Sequence, residues 1–141
     1  MTQENIELLA TDISARVKHG VQVMLIENEE TMERYKLYLK PYPLKPTTVI
    51  AFINYDVPGY SKYKLNLGGD IVRIEDCKPF LRPMSDMSEE ERNEYKHLVA
   101  FSGSPNGAAN FVDWLNKKGF DYRGLIEKGL AIALHLNAPK E

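Results

Sequence analysis

Residues 77–92 read CKPFLRPMSDMSEEER. The stretch leaves a β-branched-rich run, crosses two prolines and two methionines, and ends in a serine followed by three glutamates. How it is read divides the chain. Pro79 and Pro83 lack the backbone donor that a ladder needs, so the last strand is expected to end near Cys77. Ser88 and Glu91 stand at the spacing of a capping box, where each side chain takes the other's backbone N–H. Glutamates also suit the positive end of a helix. The acidic burst is therefore a helix start, and residues 78–87 are a linker. Phe80, Leu81, Met84 and Met87 can cover a seam between a sheet before the linker and helices after it. Arg82, a charge in the middle of that apolar linker, has no such mechanical role.

Toward the N-terminus, five short runs read as strands: VQVMLI (21–26), RYKLYLK (34–40), TTVIAFIN (47–54), YSKYKLNL (60–67) and DIVRIEDC (70–77). Tyr35, Leu37 and Leu39, and again Tyr63, Leu65 and Leu67, alternate with polar residues at the period of half-buried strands. ENEETMER reads as a solvated turn, and the three prolines of PYPLKP (41–46) rule out a central strand there. Asp56–Gly59 and Gly68-Gly69 are turn signals. No gap is long enough for a parallel crossover, so antiparallel pairing is expected. Ahead of these runs, Ile6, Leu9, Ala10, Ile13 and Val17 make one helical stripe that ends at Gly20.

Toward the C-terminus, Tyr95, Leu98 and Val99 mark one helix. Ala108, Phe111, Val112 and Leu115 mark a second, stopped by Lys117, Lys118 and Gly119. Asp121 is the expected N-cap of a third, with Phe120 and Leu125 as a hydrophobic staple. The fold class is α+β: an N-terminal helix, a five-stranded antiparallel sheet (an SH3-like barrel or a curled sheet) and three C-terminal helices. One domain is expected over residues 1–141, with the helix at 1–20, the sheet at 21–77, the linker at 78–87 and the helical part at 88–136.

The chain's 141 residues suffice to bury a sizeable core. A net charge of −2 names no partner. The single cysteine excludes an intramolecular disulfide. The N-terminus shows no basic segment followed by an apolar one, and no apolar run approaches the roughly 18 residues of a membrane helix. A cytoplasmic protein is the expectation.

Catalytic signatures are missing from the sequence. His19, His97 and His135 fall in three different predicted helices, and Cys77 has no histidine beside it. No phosphate loop, nucleophile elbow or metal-ligand spacing occurs. No catalytic residue, cofactor or metal is expected; an enzyme would need a pocket that gathers Cys77, His97 or scattered aspartates. Charge is distributed more tellingly. Residues 1–33 carry seven acidic side chains against Arg16 and Lys18, a net of −5, whereas residues 34–64 carry +5. Tyrosines interleave in the basic block, and lysines beside aromatic faces on a β surface suit single-stranded nucleic acid. Lys36, Tyr38, Lys40, Lys62 and Lys64 are the candidates for that contact. Lysines and tyrosines are also ordinary solvent-face strand residues. The segment FVDWLNKKGFDYRG (111–124) offers a second surface. Trp, Tyr and Arg are the residues that most often anchor protein interfaces. Arg82, Met84, Trp114, Tyr122 and Arg123 are the candidates for a protein contact, although each of the last three also has a role open to it at a helix terminus.

CKPFLRPMSDMSEEE and DWLNKKGFDYRGLIEKGLA resemble blocks of an uncharacterised family of small bacterial proteins found in prophage and other mobile-element regions. The resemblance covers residues 77 to about 133; the N-terminal part is similar only in layout. It brings no activity, cofactor or catalytic residue. It implies a phage or mobile-element product acting inside a bacterial cell. The expected function is thus a small non-enzymatic binding protein with a protein ligand, the alternatives being a nucleic-acid-binding accessory protein and an enzyme of another type.

Overall fold

A computed structural model describes residues 1–35 and 45–137. Its elements run α1 (Gln3–Arg16), β1 (Gln22–Leu25), α2 (Glu29–Tyr35), β2 (Thr47–Thr48), β3 (Ala51–Asn54), β4 (Tyr63–Asn66), β5 (Ile71–Arg73), β6 (Cys77–Leu81), α3 (Glu89–Ala100), α4 (Pro105–Lys118) and β7 (Ile132–Ala133). The fold is α+β. The described strands form two sheets, ordered β2-β1-β6-β7 and β3-β4-β5, and no closed barrel.

The split into two sheets occurs inside one expected strand. Residues 47–54 bend at Val49 and Ile50. The Val49 N–H donates to Val21 O in the first sheet, and the next N–H, of Ile50, donates to Asn66 O in the second. Val49 is buried at the bend, so the run that reads as one strand hands the chain from sheet to sheet. The second sheet is antiparallel throughout, with Phe52 opposite Leu65 and Leu65 opposite Val72. Asn66 Oδ1 accepts the N–H groups of Gly68 and Gly69 and shapes the expected hairpin turn.

Three further expectations are corrected. Residues 29–35 form α2 rather than a turn running into a strand. Asn28 Oδ1 accepts the Thr31 N–H at 2.8 Å, two glutamates occupy the first turn, and Arg34 stands in the last. Arg34 and Tyr35 therefore end a helix; Lys36, Tyr38 and Lys40 lie outside the described residues.

Second, the strand expected over residues 70–77 stops at Arg73. A 3-10 turn at Ile74–Asp76 follows, and β6 then carries Pro79 in its interior. The Ile26 N–H donates to Asp76 O, so Met24 opposite Lys78 is the next hydrogen-bonded pair and Val23 opposite Pro79 is not one. The missing proline donor thus faces away from β1. On the other side, parallel β7 reaches only Phe80 and Leu81.

Third, no helix follows Asp121. Its carboxylate accepts the N–H groups of Leu125 and Ile126, as a cap would. Gly124 and Gly129, however, adopt φ of +76° and +74°, a left-handed conformation that interrupts a helix. The resulting turns deliver Ile132 and Ala133 beside Phe80 and Leu81 as a parallel edge strand.

The remaining boundaries agree with the sequence. Thr2 caps α1, Ser88 and Glu91 form the capping box of α3, and Gly119 closes α4. Leu9, Ala10 and Ile13 of α1 pack into one core with Val49, Leu125, Leu130 and buried residues of β1, β4, β5 and β6. Met87, Leu115 and Phe120 make a second cluster, joined by Met84, Tyr95, Phe111, Trp114 and Tyr122.

Candidate functional site

Arg82, the unexplained charge of the linker, points inward and is 5% exposed. Its Nε donates to Asp86 Oδ2 at 2.9 Å, and Nη1 and Nη2 donate to the two Glu91 oxygens at 2.8 Å each. The backbone oxygens of Lys118 and Asp86 take two further contacts at 3.3 and 3.0 Å. A guanidinium has five N–H donors, and this accounts for five. Its carbon lies 4.2 Å from the centre of the Phe120 ring. The Arg82 backbone also bridges Gly119 and Asp121. Asp86 in turn accepts the N–H groups of Leu136 and Asn137. One side chain therefore ties the end of β6, the start of α3, the end of α4 and the C-terminal tail. The paired Arg82 guanidinium and the Ser88 N–H hold the Glu91 carboxyl down at about 2. A presented contact role for Arg82 is thereby replaced by an internal one.

The other expected contact residues cluster around this centre but spend their polar atoms inside the chain. Met84 is half-buried against the second cluster. Trp114 is half-buried, stacked between Tyr95 and Phe120, and its Nε1 donates to Glu94 at 3.0 Å. The Tyr122 hydroxyl donates to Asn116 Oδ1 at 2.8 Å, and Arg123 Nη1 donates to Asp12 at 2.7 Å. Asp12 also accepts both Nε and Nη2 of Arg16. The sequence reading missed Asp12, Arg16, Asp86 and Glu91 as ion partners. A signal existed: Asp12/Arg16 and Arg82/Asp86 are opposite charges four residues apart.

Of the lysine–tyrosine candidates, only Lys62 and Lys64 fall among the described residues. Leu65 and Val72 face the core, so by the two-residue period Ile53, Lys64 and Arg73 form one outward row and Ala51, Asn66 and Ile71 another. Lys64 stands directly opposite Arg73. Arg73 leans toward Glu75 and Asp76 at 3.5 Å, whereas Lys64 rests 6.0 Å from the Tyr60 ring and has no carboxylate partner among the described residues. Lys62 is exposed, 5.2 Å from the Tyr63 ring. Tyr63 donates to Glu7 at 2.6 Å, which holds that carboxyl below its usual range. Ile50, Tyr55, Tyr60 and Ile71 are 60%, 61%, 70% and 54% exposed on the same three strands and their turns.

The three histidines stand apart from one another among the described residues. His19 contacts Asp113, His97 stacks on Phe101, and His135 is exposed elsewhere. Among the described residues no group of three or more His, Cys, Asp or Glu is arranged to hold a metal ion. Cys77 is fully buried, and that burial pushes its thiol well above the ordinary range. The native thiol is accordingly expected to resist a chromogenic disulfide reagent at pH 8 and to react at once in denaturant. Prompt reaction of the folded protein would show that Cys77 is accessible. No helix among the described residues is long and apolar enough to cross a membrane. No family model, curated protein or solved structure matches the chain in comparisons of sequence and fold.

Proposed function

We propose that this chain is a non-enzymatic binding protein whose ligand is a protein, and that it meets that ligand with the outward face of the β3-β4-β5 sheet. The observation that carries this reading is the combination, on one small sheet and its turn, of the large exposed side chains Tyr55, Tyr60 and Ile71 with the outward cations Lys64 and Arg73. Like charges directly opposite one another across two strands are unfavourable in isolation. Among the described residues Lys64 has no acid of its own, so an acidic group from outside relieves that pair, while the apolar side chains supply area to bury. The occupant is therefore a partner segment that mixes acidic and apolar residues. The resemblance to prophage and mobile-element proteins supports a setting inside a bacterial cell.

Tyr55 and Tyr60 beside Lys62 and Lys64 favour a second reading, single-stranded nucleic acid stacked on the same face. One experiment separates the two. Wild-type protein, Lys64→Glu and Ile71→Ser are used to capture partners from a bacterial host lysate and to shift a labelled single-stranded oligonucleotide at low salt. The protein reading expects a stoichiometric acidic partner that both variants lose and no oligonucleotide shift. A shift abolished by Lys64→Glu and steeply weakened by salt would replace it with the nucleic-acid reading. A partner retained by both variants would place the contact elsewhere.

A further inference from the structure

A separate cleft of about 170 Å3 opens where α1, α4, β1 and β6 end, bordered by Arg16, His19, Gln22, Asn116, Lys117 and Lys118. It is well below the roughly 300–1,000 Å3 of sites that take drug-sized ligands, so any occupant is a small ion or one terminal group. Among the described residues no acidic side chain lines it.

The charge beneath it is unbalanced. Arg16 and Arg123 both bond to Asp12, so two guanidiniums share one carboxylate. Asp12 and Arg16 are 0% and 1% exposed. Arg16 spends Nε and Nη2 on Asp12, and Nη2 also donates to Phe120 O at 2.6 Å. Its third nitrogen, Nη1, is buried and has no hydrogen-bond partner. A buried donor on a charged group is costly when left unmade.

A helix C-terminus beside the cleft would ordinarily repel an anion. Here five carbonyls at the end of α4 and just beyond it are occupied. Leu115 O and Asn116 O accept the N–H groups of Phe120 and Gly119, Lys118 O and Gly119 O accept from Arg82, and Phe120 O accepts from Arg16. Backbone N–H groups and two guanidinium donors, Arg82 Nη1 on Lys118 O and Arg16 Nη2 on Phe120 O, thus offset the negative end of the helix.

We infer that this cleft is an oxyanion site, in which Arg16 Nη1 takes an oxygen of a phosphoryl or carboxylate group of a small ligand and Lys117, Lys118 and His19 line its approach. The site is independent of the sheet face described above.

Thermal unfolding of the full chain is followed against inorganic phosphate and against acetate, with chloride at matched ionic strength. The expected result is a saturable rise in midpoint with one oxyanion, following mass action. Phosphate alone identifies a phosphoryl ligand, and acetate alone a carboxylate. Lys117→Glu and Gln22→Glu place a carboxylate at the mouth without touching the buried Asp12–Arg16 pair, and each is expected to weaken binding by about tenfold. Arg16→Lys, where it folds, keeps the charge and loses the unpaired Nη1 donor, with the same loss expected. No saturable rise with either anion, or an equal rise in both mouth variants as a general salt effect would give, overturns the inference.

Discussion

Arg82→Met is expected to lower the free energy of unfolding by about 3–5 kcal/mol, the range found when one partner of a buried ion pair is removed. The residue's surroundings place it in that range rather than in the near-zero range of surface pairs. Its side chain is 6% exposed, and those of its partners Asp86 and Glu91 are 0% and 11% exposed. Removing the guanidinium leaves two carboxylates in a nearly dry site. Asp86 keeps the N–H groups of Leu136 and Asn137, and Glu91 keeps the Ser88 N–H and the Asn137 side-chain amide, but both lose the guanidinium. Small proteins are stable by only about 5–15 kcal/mol, so the variant is expected to be partly unfolded under mild conditions. Urea denaturation followed by Trp114 fluorescence reads the change, because Trp114 packs on Phe120, the ring beneath Arg82. An unchanged midpoint would mean that the network does not hold the seam together.

Acid is expected to remove the same contribution without mutation. Glu91 titrates at about 2 in the folded chain, against the ordinary 4.5. A depressed folded value means that the unfolded state binds its proton first. The stabilisation is therefore fully present above about pH 5 and is lost as pH falls from about 4.5 toward 2. At 1.36 kcal/mol per unit it amounts to roughly 3 kcal/mol, an order-of-magnitude figure. Stability should fall steeply over that window in the wild type. Glu91→Gln should start lower at neutral pH and show an acid limb shallower by about one proton. An identical acid limb in both proteins would assign the loss to other carboxylates.

The sequence disclosed what local chemistry dictates. Capping at Thr2 and Ser88, the stripe of α1, the stop at Gly119 and the Gly68-Gly69 hairpin all depend on residues within one turn of each other, and each formed as expected. The misreadings share a different cause. In residues 47–54 nothing local marks where one ladder ends and another begins; that is set by Val21 and Asn66, far away in sequence. Pro79 stands inside a strand because its register against Val23 needs no donor there, and register is a tertiary property. Residues 121–136 carry a helical stripe, but Gly124 and Gly129 turn left-handed and the parallel pairing to β6 prevails over periodicity. Two of the contact candidates show the same limit. Residue type identified Arg82 and Arg123 as worth attention, and burial turned both toward acids inside the chain. Alternation over residues 70–77, with Val72 and Ile74 inward, already leaves Ile71 and Arg73 on the other side; that Lys64 stands opposite Arg73 is a matter of register.

We propose a division of labour in which the Arg82 network holds the chain together and the outward row containing Lys64 meets the partner. Arg82→Lys and Lys64→Glu test it together. Lysine keeps the charge but replaces a rigid five-donor fork with three donors on a flexible stem. The measurement is the urea midpoint and the amount of partner captured per folded molecule, taken on the same samples. Arg82→Lys is expected to lower the midpoint and leave capture intact, and Lys64→Glu to leave the midpoint intact and abolish capture. An Arg82→Lys protein as stable as wild type that no longer captures the partner would contradict the account.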